Sequence, residues 1–238
     1  MINQTAILRS SQSIAEENAR FMSGVYKWMT IGILLTAGIS YYVSGTPDII
    51  DVVIYNKFVF WGLLIAQLGS VIFLSAMIHK ISALWATLIY LLYSSLTGLT
   101  FSVIFLVYTQ DSIASAFMVT AFSFGGLSFF GYVTKRDLGP IGTFCHMGLW
   151  GLIGFGLLSL FFPGMMTSTT SMVYSLCGVV VFAGLTAYDT QKIKQTNVIG
   201  NEGTSEDHKE TIIGALTLYL DFINLFLMIL RLMGGRRR

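Results

Sequence analysis

The 238 residues carry 54% hydrophobic and only 11% charged side chains, and 14 Lys and Arg against 12 Asp and Glu leave a net charge of +2. With a mean hydropathy of +0.72, that balance excludes an ordinary soluble domain. The mild positive charge, confined to stretches between or beyond the apolar runs, excludes a nucleic-acid footprint.

In chain order, residues 1–23 hold Arg9, Glu16, Glu17 and Arg20, too polar for the apolar region of a signal peptide, and no small-residue cleavage site follows the first apolar run. They are expected to form a polar cytoplasmic tail, with the first span kept as an uncleaved anchor. A helix needs roughly 20 apolar residues to cross hydrocarbon. Runs of that kind predict spans near 24–43, 58–78, 82–107, 112–133, 141–162, 170–190 and 211–233. The expected fold is thus an all-α integral membrane protein, a seven-transmembrane helix bundle over 24–233 followed by a basic tail at 234–238. Loop signals lie between the runs: Pro47, Asp48 and Asp51 after Gly45, Lys135-Arg136-Asp137 before Pro140, and Pro163-Gly164. The one long polar insertion, about 191–210, reads as a solvated cap.

Positive charge is retained on the cytoplasmic side of a membrane. Alternate loops put Arg9, Arg20, Lys27, Lys80, Lys135, Arg136, Lys192, Lys194 and Lys209 on one side and Lys57 alone on the other, so the N-terminus is expected in the cytoplasm. Arg231 and the terminal Arg236, Arg237 and Arg238 conflict with that assignment if the last run crosses fully. Either the last helix crosses against the charge rule, or it is re-entrant and returns the basic end to the cytoplasm.

Within the spans, Gly148, Gly151, Gly154 and Gly156 and the Ser94-to-Thr100 stretch supply small residues that let helix backbones approach closely. Cys145 and Cys177 read as small buried hydrophobes, with no disulfide or metal assigned. His146 and Gln67 read as polar side chains bonded to a neighbour. Two carboxylates stand apart. Asp189 closes the sixth run in Leu185-Thr-Ala-Tyr-Asp189-Thr-Gln-Lys192, where Lys192 and Lys194 also offer an end-of-helix ion pair. Asp221 lies about ten residues into the seventh, roughly 15 Å deep, with no basic residue within two turns. A carboxylate there is expensive and normally faces a polar interior or a partner. Thr217, Asp221 and Asn224 share one helix face at i, i+4 and i+7. Antiparallel sixth and seventh helices would bring Asp189 to Asp221.

The run GALTLYLDFINLFLMILRLMG at 214–234, with VFAGLTAYDTQKIK at 181–194 and GYVTKRDL at 131–138, resembles the Bax inhibitor-1 family (transmembrane Bax inhibitor motif proteins), especially its bacterial inner-membrane members. The resemblance covers nearly the entire chain and implies a seven-helix fold whose last helix is central. It also implies a pH-sensitive calcium leak, with paired carboxylates from the last two helices mapping onto Asp189 and Asp221. Relatives can carry an acidic residue in the second span and an arginine at its end that latches onto the sixth-span aspartate. Here Gln67 and the Ile78-His79-Lys80 segment stand nearest those places, so the latch would fall to His79 or Lys80.

The leading functional expectation is a passive cation pathway, most naturally for Ca²⁺, because hard divalent ions prefer carboxylate and carbonyl oxygens. Two unit charges about 4 Å apart at an effective dielectric near 20 repel by roughly 4 kcal/mol. The pair is therefore expected to share a proton or a cation, which makes Asp189 and Asp221 both pH sensor and transient Ca²⁺ site. No resident cofactor is expected; the partners are the lipid bilayer, Ca²⁺ and protons. A second reading is a non-catalytic modulator that binds other membrane proteins in protease quality control or stress response. An intramembrane aspartyl protease is the enzyme alternative, since Tyr188-Asp189 matches that class's first motif. Its second motif is missing, because Asp221 follows Leu218-Tyr-Leu and no Pro-Ala-Leu segment occurs. A serine protease has neither Gly-x-Ser-x-Gly nor a base beyond His79, His146 and His208.

Overall fold

A computed structural model describes residues 2–235 of the chain. Its elements are α1 (Ile2–Ser44), α2 (Pro47–Tyr55), α3 (Lys57–Met77), α4 (Ala83–Phe101), α5 (Ile104–Val107), α6 (Gln110–Val133), α7 (Gly139–Phe161), a 3₁₀ turn (Pro163–Met165), α8 (Ser168–Thr196) and α9 (Ser205–Met233). No strand occurs among the described residues. The helix starts follow local chemistry. Asn56 Oδ1 accepts from the backbone N–H groups of Phe58 (3.1 Å) and Val59 (3.3 Å), Ser82 Oγ accepts from Trp85 N, and Pro47 and Pro140 open α2 and α7 where a missing N–H does no harm. Hydroxyls inside the helices donate to the carbonyl four residues back, as at Ser94, Thr97, Thr120, Thr186 and Thr190. A hydroxyl so bonded can sit in an apolar medium.

Among the described residues, six helical segments are long and apolar enough to cross a membrane: α3, Ala83–Val107 (α4 with α5), α6, α7, α8 and α9. The chain is a multi-pass integral membrane protein. The expected first span, 24–43, lies inside α1, whose apolar stretch is interrupted by Lys27, Thr30, Thr36, Ser40, Tyr41 and Tyr42, and α1 is not one of the six. Helix ends also depart from the expected ones. α1 runs unbroken through the boundary at 23/24; the polar segment after Gly45 folds as α2; and α8 and α9 extend into the expected 191–210 cap, leaving only residues 197–204 between them. Polar flanks stay helical because hydropathy marks the hydrocarbon layer and not the end of a helix. Burial singles out α9: 72% of its apolar window is covered by protein, against 6% for α3 and α7 and 39% for α8.

The chain divides into two compact units, Met1–Val103 with Ile193–Tyr219, and Ile104–Lys192 with Leu220–Arg238. In the first, α1 packs on α4 through buried polar contacts. Thr36 Oγ1 donates to Ser94 O (2.8 Å) and meets Tyr219 Oη (2.6 Å), Ser40 Oγ donates to Gly98 O, and Tyr90 Oη donates to Trp28 O. Gln67 Nε2 reaches Leu96 O and Thr100 Oγ1, both at 3.1 Å, which ties α3 to α4 and bears out its expected neighbour-bonded role.

In the second unit, α8 is seated against α6 by a Ser128–Thr190 hydroxyl pair (2.8 Å) and by Gln191. The Gln191 amide accepts from Leu138 N (3.0 Å) and donates to Arg136 O (2.8 Å). Phe117 and Phe124 of α6 pack edge-on against Phe222 of α9. At the other end of α6, Gly235 N donates to Ser112 Oγ and Gly235 O accepts from Thr109 N, while Arg231 lies over the Tyr174 ring. The end of α9 therefore docks at the start of α6, one α6 length, about 35 Å, from Lys135 and Arg136. Arg236, Arg237 and Arg238 lie outside the described residues.

Candidate functional site

Asp189 and Asp221 fall in the same unit, on α8 and α9. Asp189 sits seven residues before the end of α8, about 10 Å along its axis, and is half-buried. Asp221 is only 5% exposed. The two carboxyl groups lie within reach of a shared hydrogen bond, and Asp221 Oδ2 is buried with no donor among the described residues. Burying a carboxylate oxygen without a hydrogen-bond partner is costly.

Close packing brings α8 and its neighbours to this site. A β-carbon at Gly131 of α6 would fall on the backbone carbonyl of Ala187, and one at Gly142 of α7 would stand 2.5 Å from the Tyr188 ring. Cys145, buried on α7, lies within electrostatic reach of both carboxylates, whereas Cys177 is exposed on α8, contrary to its expected burial. Inside an apolar run, sequence alone does not separate the face packed on protein from the outer one.

Two basic side chains act on Asp189 within its unit: His146 of α7 and Lys192 one turn further along α8. The His146 ring stands edge-on to Tyr188 at 5.8 Å and its Nδ1 donates to Gly142 O (2.8 Å). Lys192 Nζ lies 5.6 Å from the Tyr188 ring centroid. The other expected members fall differently. Thr217 Oγ1 donates to Ile213 O and Asn224 Nδ2 to Leu220 O, so both are bonded to their own helix. His79 and Lys80 are exposed in the turn after α3 and belong to the other unit. Sequence reasoning gave His146 and Gln191 little weight. The available signal was that His146 is the one charged-capable side chain besides a thiol in the whole of α7.

Comparison with known proteins is decisive at the family level, because a profile described as "Inhibitor of apoptosis-promoting Bax1" matches residues 18–238. The chain belongs to the Bax inhibitor-1 family. The inner membrane protein YbhL of Escherichia coli (strain K12) is 48% identical over 231 residues, covering 95% of this chain and 97% of that one. A protein of Borreliella burgdorferi described as uncharacterized is 40% identical, over 97% of this chain and 98% of its own. One from Rickettsia prowazekii is 37% identical over 243 residues and all of both chains. For this member of the Bax inhibitor-1 family, the motif-bearing runs at 181–194 and 214–234 are the helices that carry the two carboxylates.

Proposed function

We propose that this protein is a passive, pH-sensitive cation leak of a bacterial inner membrane, with Ca²⁺ as its natural permeant ion and the Asp189–Asp221 pair as ion site and pH sensor. The observation that carries this reading is a buried carboxylate oxygen without a donor, beside a second carboxylate, in helices that cross a membrane. Two carboxylates this close hold one proton between them or bind a cation that neutralises both, so protons and Ca²⁺ compete for the site. The proposed topology has seven crossings, with the apolar part of α1 as the first, the N-terminus in the cytoplasm and α9 as the central helix.

Dye-reported Ca²⁺ flux into proteoliposomes between pH 6 and 8 tests it. Asp221→Asn keeps the side chain's shape and removes the deeper charge, so it should abolish or strongly reduce flux; Asp189→Asn should mainly flatten the pH response. Wild-type flux from both variants at every pH would make the pair structural.

A further inference from the structure

α7 carries His146 about 10 Å along its axis from Gly139, and that imidazole is exposed. Of the other exposed side chains of this part of α7, Phe144 is 66% uncovered, Met147 66% and Trp150 72%, while the Thr143 hydroxyl donates to its own helix at Gly139 O. They suit lipid, whereas an imidazole in hydrocarbon is expensive and normally faces a polar space. The ring is held to one side by its contact with Tyr188, an approach open only because Gly142 has no β-carbon to meet that ring. Its bond to a carbonyl makes Nδ1 the donor, so that in the neutral ring Nε2 is the acceptor nitrogen.

The polar end of α8 divides into two faces. Thr190 and Gln191 are buried against Ser128, Leu138 and Arg136. Tyr188, Asp189 and Lys192, at i, i+1 and i+4, face the His146 side, and none of the three is fully buried. We infer that His146 and Tyr188, with Lys192 at the rim, line a water-filled mouth through which solvent and hydrated cations reach Asp189 from the Lys135–Arg136 end of the unit. In that mouth Nε2 and the Tyr188 hydroxyl offer ligands to water of hydration, and the Lys192 ammonium sets a barrier that the two carboxylates must outweigh. As an ion path the mouth rests on the leak reading; as a water-accessible crevice it does not.

The test is thiol accessibility in full-length protein carrying Cys145→Ala and Cys177→Ser, reconstituted in vesicles opened to both sides. A membrane-impermeant, positively charged methanethiosulfonate is added and the mass increase followed. His146→Cys should react about tenfold or more faster than Phe144→Cys, because only a thiol in water ionises to the reactive thiolate. Tyr188→Cys, on the facing helix, should react as well and serves if the histidine variant does not fold. No labelling at 146 and 188, or rates equal to that at 144, overturns the mouth. Ca²⁺ flux measured on Cys-free vesicles separates the two claims. Labelling without flux leaves the mouth and removes the leak, while Asp221-dependent flux without labelling does the reverse.

Discussion

Asp221 and Gln191 are both polar, both nearly enclosed, and differ in how they are satisfied. The Gln191 amide, 7% exposed, bonds the backbone of Leu138 and Arg136 and so fixes the turn between α6 and α7 to the end of α8. Removing it leaves a buried N–H and a carbonyl unpaired, and Gln191→Ala should destabilise the protein by ~1–3 kcal/mol. That appears as a lower melting temperature in detergent; an unchanged value would mean water replaces the amide. Asp221 is the reverse case, since its Oδ2 has no donor to lose. Sequence signalled Asp221 clearly, as an acid deep in an apolar run with no base within two turns. It gave no comparable signal for the His146–Tyr188 contact, which depends on the register of α7 against α8 and is invisible until both helices are placed.

Between elements, glycine decides how near the helices come. At Gly131 the β-carbon of any other residue would meet the Ala187 carbonyl, whereas at Gly126, on the same helix, nothing lies within 4 Å. Gly131→Val should therefore push α6 from α8 and cost about 1–3 kcal/mol, while Gly126→Ala should be neutral or slightly stabilising through helix propensity. Thermal unfolding of the two variants side by side checks this; equal losses would mean the close approach is not what joins the helices. Six of the seven expected spans coincide with helices long and apolar enough to cross a membrane, since long apolar runs are the sequence pattern's strongest signal, and the expected 24–43 span does not. The pattern misread α2 as a loop because Pro47 and two aspartates look like punctuation, although proline in the first turn starts a helix as readily as it ends one. It also left the last helix's route open, because basic residues at both ends of α9 pull the charge rule in opposite directions.

For the molecule as a whole, the docking of Gly235 on Thr109 and Ser112 bears on that question, since it puts the end of α9 and the Lys135–Arg136 turn at opposite ends of α6. A single cysteine placed after Gly235 and another at Lys135, labelled with impermeant reagent from outside intact cells, should react in opposite senses: the first labelled and the second not, if positive charge marks the cytoplasm. Like behaviour at both positions would refute the crossing. The central claim is that the carboxylate pair passes cations, and the most direct measurement is current through planar bilayers under a Ca²⁺ gradient. The wild type should show a reversal potential displaced toward that of Ca²⁺, and Asp221→Asn at matched protein density should lose the current. Equal currents and equal reversal potentials from the two proteins would contradict the account.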